Sequence, residues 1–114
     1  LTVYDPDAPT GSGWWHWVVF NLPADTKSLP ANIDSSGKGL PNGAIQSRTD
    51  FGATSFGGAC PPSGDKPHRY QFTLHALKTD KLELNADAMP AMVGCMLHMS
   101  SLGTAQLTAT YQRK

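Results

Sequence analysis

"DPDAPTGSGWWHW", Asp5 to Trp17, decides how this chain begins to fold. Its first part, "DPDAPTGSG", consists almost wholly of turn-forming residues. Before it lies "LTVYD" (Leu1–Asp5), and overlapping its end is "WHWVVFNL" (Trp15–Leu22). Both flanks are rich in Val, Tyr, Trp and Phe, residues that fit a pleated, half-buried surface. The stretch therefore predicts two strands joined by a compact loop. All three tryptophans of the chain fall between Trp14 and Trp17, around His16. A core needs bulk but does not need an imidazole wedged between indoles. His16 is either a hydrogen-bonded core residue or one wall of a site.

Outward from this stretch, Pro23 to Gly64 is mostly Gly, Pro, Asn, Asp and Ser, with short apolar pairs such as Ala44-Ile45. So long a loop in a chain of 114 residues is expected to be structured and functional. "HRYQFTLHAL" (His68–Leu77) is the clearest alternation, placing Tyr70, Phe72, Leu74 and Ala76 on one face. "NADAMPAMVGCMLHMSSLG" (Asn85–Gly103) is the one helix candidate. Asp87 is placed to cap it, Pro90 is tolerated in its first turn, and Gly103 is placed to stop it. Met89, Met92, Val93, Met96 and Leu97 recur at helical spacing and predict a face packed on a sheet. "TAQLTATYQ" (Thr104–Gln112) reads as a last strand. With no repeat and no shift of composition, residues 1–114 form one domain. Strands dominate and one short helix accompanies them, so the expected fold is a mainly-β sandwich with Greek-key-type connections.

Charge narrows the function classes. Nine basic residues balance nine acidic ones, so there is no basic field to hold a nucleic-acid backbone. No run of about 18 apolar residues marks a membrane span. Two cysteines are present, Cys60 in a Gly/Pro loop and Cys95 in an apolar stretch. Exposure is expected for the first and burial as a free thiol for the second. A Cys60–Cys95 disulfide requires their Cα atoms within about 7 Å.

Unusual residue types concentrate in two places: the opening stretch and "GGACPPSGDKPHRY" (Gly57–Tyr70). Each pairs a Gly/Pro loop with a strand that carries a histidine near its start. If the strands are neighbours, His16 and His68 converge, and Asp5 at the end of the first strand joins them. The expected site is a shallow pocket at the sheet edge, walled by Trp14 or Trp15, with two imidazoles and a carboxylate at its floor. Imidazoles and loop N–H groups make a donor-rich cup suited to phosphate, sulfate, acetate or a phosphorylated headgroup. Asp5 opposes an anion unless it is protonated or paired with a histidine. Each charge-assisted hydrogen bond contributes about 1.5–3 kcal/mol. Three or four of them, less ordering costs, correspond to micromolar to millimolar affinity for a bare anion. Singly, Asp5 and Asp7 also read as turn formers, Pro61-Pro62 as a stiff loop element, and His75 and His98 as structural. The inference rests on the two loops together.

Taken together, "DPDAP", the Trp–His strand and "CPPSGDKPHRY" resemble the phosphatidylethanolamine-binding protein family, also called Raf kinase inhibitor protein-like. The run from Pro61-Pro62 through Gly64 to His68-Arg69-Tyr70 is similar to that family's P-P-x-G-x-x-x-H-R-Y. "TDFG" and "GGACPP" look most like its bacterial branch, and the resemblance covers essentially the whole chain. It implies a β-sandwich with a small anion pocket at one edge, lined here by Asp5, Pro9, Trp14, His16, Pro62, His68 and Tyr70. It implies binding and inhibition, of kinases or proteases, rather than turnover, with no cofactor and no metal. It also implies further strands before "DPDAP", so residues are expected before Leu1. That segment, or a second copy of the chain, is expected to cover a sheet edge. No counterpart of the C-terminal helix of mammalian members is expected after "TATYQRK". In some bacterial relatives a cysteine at the position of Cys60 bridges to the N-terminal region. That pairing favours a periplasmic over a cytoplasmic setting.

Two other chemistries compete with binding. Asp5, His16 and His68 could perform acid/base hydrolysis, with Cys60 as nucleophile if a histidine depresses its pKa. The same three residues could hold a metal at about 2.1 Å. No "GxSxG", "HExxH" or paired "CxxC" accompanies them.

Overall fold

A computed structural model describes all 114 residues. Its strands are β1 (Thr2–Asp5), β2 (Trp14–Phe20), β3 (Ile45–Gln46), β4 (His68–Leu77) and β5 (Ser101–Tyr111), with one helix, α1 (Pro90–Ser100). They form a single antiparallel sheet in the order β3-β2-β1-β4-β5. The second layer of the expected sandwich is not formed within these residues. Mainly-β architecture and the one short helix are as the patterning predicts.

The sheet carries apolar clusters on both faces. On one, Val18 and Phe20 pack with Leu82 and with Val93 and Leu97 of α1. On the other, Val3, Trp17, Val19 and Tyr70 pack beneath Leu22, Leu29, Ile33 and Leu40 of the long loop. The Pro23–Gly64 segment is thus the cover of one face, which explains its length.

Register is broken at two places, between Ala76 and Leu77 where β4 meets β5, and in β2 beside β1. Val3 lies opposite Trp17 and Tyr4 opposite Trp15, so His16 is an extra residue in β2. This is a β-bulge, which bends a strand and re-aims its side chains. Strict alternation would group His16 with Val18 and Phe20 on the helix face. The bulge instead turns His16 to the side of Trp17, and both rings approach Phe56. Trp15 goes to the opposite face, against Tyr4 and Gly94. A Cβ at Gly94 would stand 3.2 Å from the Trp15 ring, so glycine inside the helix lets α1 approach the indole closely.

The helix differs from expectation at both ends. Asp87 does not cap it; the residue is in an Asx turn, where its N–H bonds Asn85 Oδ1 at 2.8 Å. Proline excludes helical geometry from the residue before it. Met89 is accordingly extended (φ −72°, ψ 146°), and α1 starts at Pro90. Gly103 does not stop it either: α1 ends at Ser100, and Ser101 opens β5 directly. The expected apolar stripe is only half used. Val93 and Leu97 are buried, whereas Met89 and Met92 are more than half exposed. Cys95 is exposed, not buried, and both cysteines are free. The helix meets the sheet with one narrow edge, too little to cover them.

β5 is exposed along nearly its whole length, and Leu74 on its partner β4 is 50% exposed. The predicted apolar face of β4 is therefore buried at its Tyr70 end and open at its Leu74–Ala76 end.

Candidate functional site

β1, β2 and β4 are adjacent, so the ends of the two motifs meet on the face that carries Val3 and Tyr70. Asp5 closes β1 opposite Trp14, and His68 opens β4. His68 Nδ1 donates to Asp5 Oδ2 at 2.6 Å, with both side chains buried. The other oxygen of Asp5 accepts the Asp7 N–H at 2.8 Å. His68 Nε2 donates to Asp65 Oδ2 at 2.9 Å. Both partners are acceptors, so the ring is an imidazolium. Burial lowers the pKa of His68, but hydrogen bonds and charge from Asp5 and Asp65 outweigh it and raise the pKa above the ordinary 6.5. Pairing with histidine is thus how Asp5 is tolerated here.

His16 is held by its own loop. Its Nδ1 donates to Gly57 O at 2.6 Å, while Gly57 N–H donates back to His16 O at 3.1 Å. A Cβ at Gly58, whose φ is +104°, would fall 2.5 Å from that Nδ1, so glycine is required. With Nδ1 donating, His16 Nε2 is the atom left to face a ligand. The loop also supplies what the bulge leaves unpaired. Asp50 Oδ2 accepts the Trp15 N–H at 2.8 Å, and Asp50 N–H donates to Trp15 O at 3.1 Å.

Tyr70 joins the two histidines, its ring centroid 5.1 Å from that of His16. It is 4% exposed, and its O–H has no acceptor in the protein, although the Cys60 backbone N–H approaches its oxygen. Burial first, then the charges of Asp5 and Cys60, push its pKa up to about 12. Trp14 Nε1 is likewise buried and without a partner. Trp14 packs edge-on against Phe51, which also meets His16. Of the two indoles expected as a wall, Trp14 stands at the site and Trp15 does not.

The prolines stand differently. Pro9 and Pro62 are exposed on their loops, and Pro61 is the buried member of its pair. Pro61 O accepts Arg113 Nε at 2.6 Å, and Gly64 N–H donates to Arg113 O at 3.0 Å, so the chain end braces this loop. Sequence reasoning missed Asp50, Phe51, Gly57 and Asp65. Only the spacing of Asp65, three residues before His68, offered a signal. It also missed the Asp7–Arg69 ion pair at the rim, which holds Asp7 at a pKa of about 2 through the Arg69 hydrogen bond.

Comparison with known proteins bears on this arrangement. The family model for phosphatidylethanolamine-binding protein matches residues 1–112. The chain belongs to that family. Among PEBP-family relatives, the UPF0098 protein YbcL of Escherichia coli is 54% identical over the whole chain, which spans 63% of YbcL. E. coli YbhB is 53% identical, over 97% of this chain and 70% of YbhB. A UPF0098 protein of Methanothermobacter thermautotrophicus is 42% identical over 96% of the chain. The crystal structure of E. coli YbcL, described as a new member of the mammalian PEBP family, superposes with a TM-score of 0.96 over 99% of this chain and 70% of its own. The PEBP fold is therefore shown.

Proposed function

We propose that this PEBP-family chain is a non-catalytic binding module whose pocket takes a small oxyanion: phosphate, acetate or a phosphorylated headgroup. One observation carries the reading. Two buried donors, the Tyr70 O–H and the Trp14 Nε1–H, have no acceptor in the protein, although buried polar groups are nearly always satisfied. They lie on the face that also holds His16 and the Asp5–His68 pair. A ligand oxygen is the partner that such donors lack. His16 Nε2 accepts from a protonated ligand oxygen or, as imidazolium, donates to an ionised one.

The acid/base alternative draws no support from this geometry. His68 spends both ring N–H groups on carboxylates and has no lone pair with which to take a proton. A regulatory output through inhibition of a protein target follows from the family resemblance. The expected sandwich belongs to the same proposal: β4 returns beside β1, as in a Greek key, and the open face of β4 and β5 is where a second layer would pack.

Titration with phosphate or phosphorylethanolamine tests this, followed by NMR at the Trp14 indole and the Tyr70 amide. Both signals are expected to shift, and His16→Ala is expected to abolish the response. Unchanged signals at about 5 mM phosphate, above the Kd range for such a site, defeat the reading.

A further inference from the structure

The two acids on His68 are not equivalent. Asp5 is 2% exposed and its second oxygen is engaged by the Asp7 amide. Asp65 has a side chain 39% exposed, and the contact to His68 Nε2 is its one side-chain hydrogen bond. Its main chain is separately anchored. Asp65 N–H donates to Pro62 O at 3.2 Å, and Asp65 O accepts Gln112 Nε2 at 3.2 Å. The carboxylate can therefore turn outward by side-chain rotation while the loop keeps its place. A carboxylate with a single partner gives way when a ligand oxygen arriving on His68 Nε2 makes good the lost bond. What Asp65 offers His68 is chemically what a ligand would offer: an anionic oxygen at hydrogen-bonding distance, here 2.9 Å.

We propose that Asp65 sets the affinity of the pocket, a built-in carboxylate seated on His68 Nε2 that an incoming oxyanion must displace. This rests on the oxyanion-pocket reading above. A monocarboxylate ligand exchanges one carboxylate for another at Nε2 and gains nothing there. Phosphate carries more charge and a further oxygen, enough to hold Nε2 while reaching Tyr70, Trp14 or His16. The seated Asp65 thus lowers the affinity of every anion by the same factor, and multidentate, more highly charged ones are those that still bind measurably against it. The apparent affinity falls by the fraction of time that Nε2 is open. A tethered competitor acts at millimolar effective concentration or higher.

The test is parallel titration of the wild-type chain and Asp65→Ala with inorganic phosphate and with acetate, followed at Tyr70 and Trp14. Asp65→Ala is expected to bind phosphate about tenfold more tightly, for an Nε2 open about a tenth of the time. Acetate is expected to gain by the same factor, because both anions must open the same Nε2. Removing any negative charge near an anion site also helps binding, so two readouts separate displacement from field. The Asp65 carboxyl carbon signal of the wild type should move on saturation with phosphate. The gain should also persist at about 1 M salt, where the screening length is about 3 Å. If the wild type responds to phosphate but Asp65→Ala binds it equally or less well, the Asp65 proposal is overturned and the pocket reading stands. A gain that vanishes in salt, with an unmoved Asp65 signal, overturns it too. If neither protein responds to either anion, the pocket reading fails and the displacement proposal with it.

Discussion

Tyr70 is a buried phenol whose O–H has no acceptor in the protein, and that makes it the most informative single residue. An unsatisfied buried hydroxyl costs about 1–3 kcal/mol. Tyr70→Phe is therefore expected to leave the ligand-free protein as stable or about 1 kcal/mol more stable by denaturant titration, while the phosphate response weakens. Loss of stability would show that the hydroxyl already has a partner. Asp5 is the opposite case. Asp5→Ala leaves the buried His68 imidazolium with Asp65 alone, and removing one partner of a buried ion pair costs about 3–5 kcal/mol. The raised pKa of His68 gives this a pH signature. The folded state holds the proton more tightly than the unfolded chain does, so the contribution of His68 is full below pH 6.5 and is lost as pH rises through the folded value. The difference in unfolding free energy between wild type and His68→Gln should fall from pH 6.5 upward, a comparison that cancels the opposite trend of the buried Leu1 amine, whose pKa burial lowers to about 6. A flat difference would contradict the imidazolium assignment. The two motif histidines and Asp5 were legible because rare residue types clustered in turn-rich loops. Asp65 was not, because its role depends on a loop curling back onto its own strand.

Among the elements, β2 bears the largest discrepancy between pattern and structure. Its composition announces a strand, but its bulge is invisible to composition because the extra residue, His16, shows only against the partner register. The bulge exists because another element compensates for it: Asp50 brackets Trp15 with both its backbone N–H and its carboxylate. Asp50→Ala is expected to cost about 1–3 kcal/mol, as for a charge-assisted bond to a half-buried amide. It should also shift the signals of His16 and Trp14 even without ligand. Stability loss with an unmoved His16 would mean that the bulge stands without the loop. The helix illustrates the same limit. Its existence was readable from spacing, but its start was set by the steric effect of Pro90 on Met89, and its end by the immediate onset of β5.

For the whole molecule, burial is uneven: the core lies on β1, β2 and the start of β4, while β5 stands almost fully exposed. Apolar residues of equal size should therefore differ greatly in what they contribute. Leu97, 2% exposed, is expected to cost about 2–5 kcal/mol on change to alanine. Leu107, 68% exposed, is expected to cost no more than about 0.5 kcal/mol. Comparable losses at both, measured by urea unfolding, would mean that the β5 face is covered in solution. By its own pattern the chain determined four of the five strands, the existence of one helix and the two loops where chemistry gathers, because periodicity and turn chemistry are local properties; the two-residue β3, inside the segment that reads as loop, is too short to carry a pattern. Tertiary structure alone decided that His16 lies on the side of Trp17 and not of the helix, that Trp14 and not Trp15 stands on that side, and that Asp65 sits on His68. These follow from strand register and from a loop's path across a neighbouring strand, and both are contacts between residues distant along the chain.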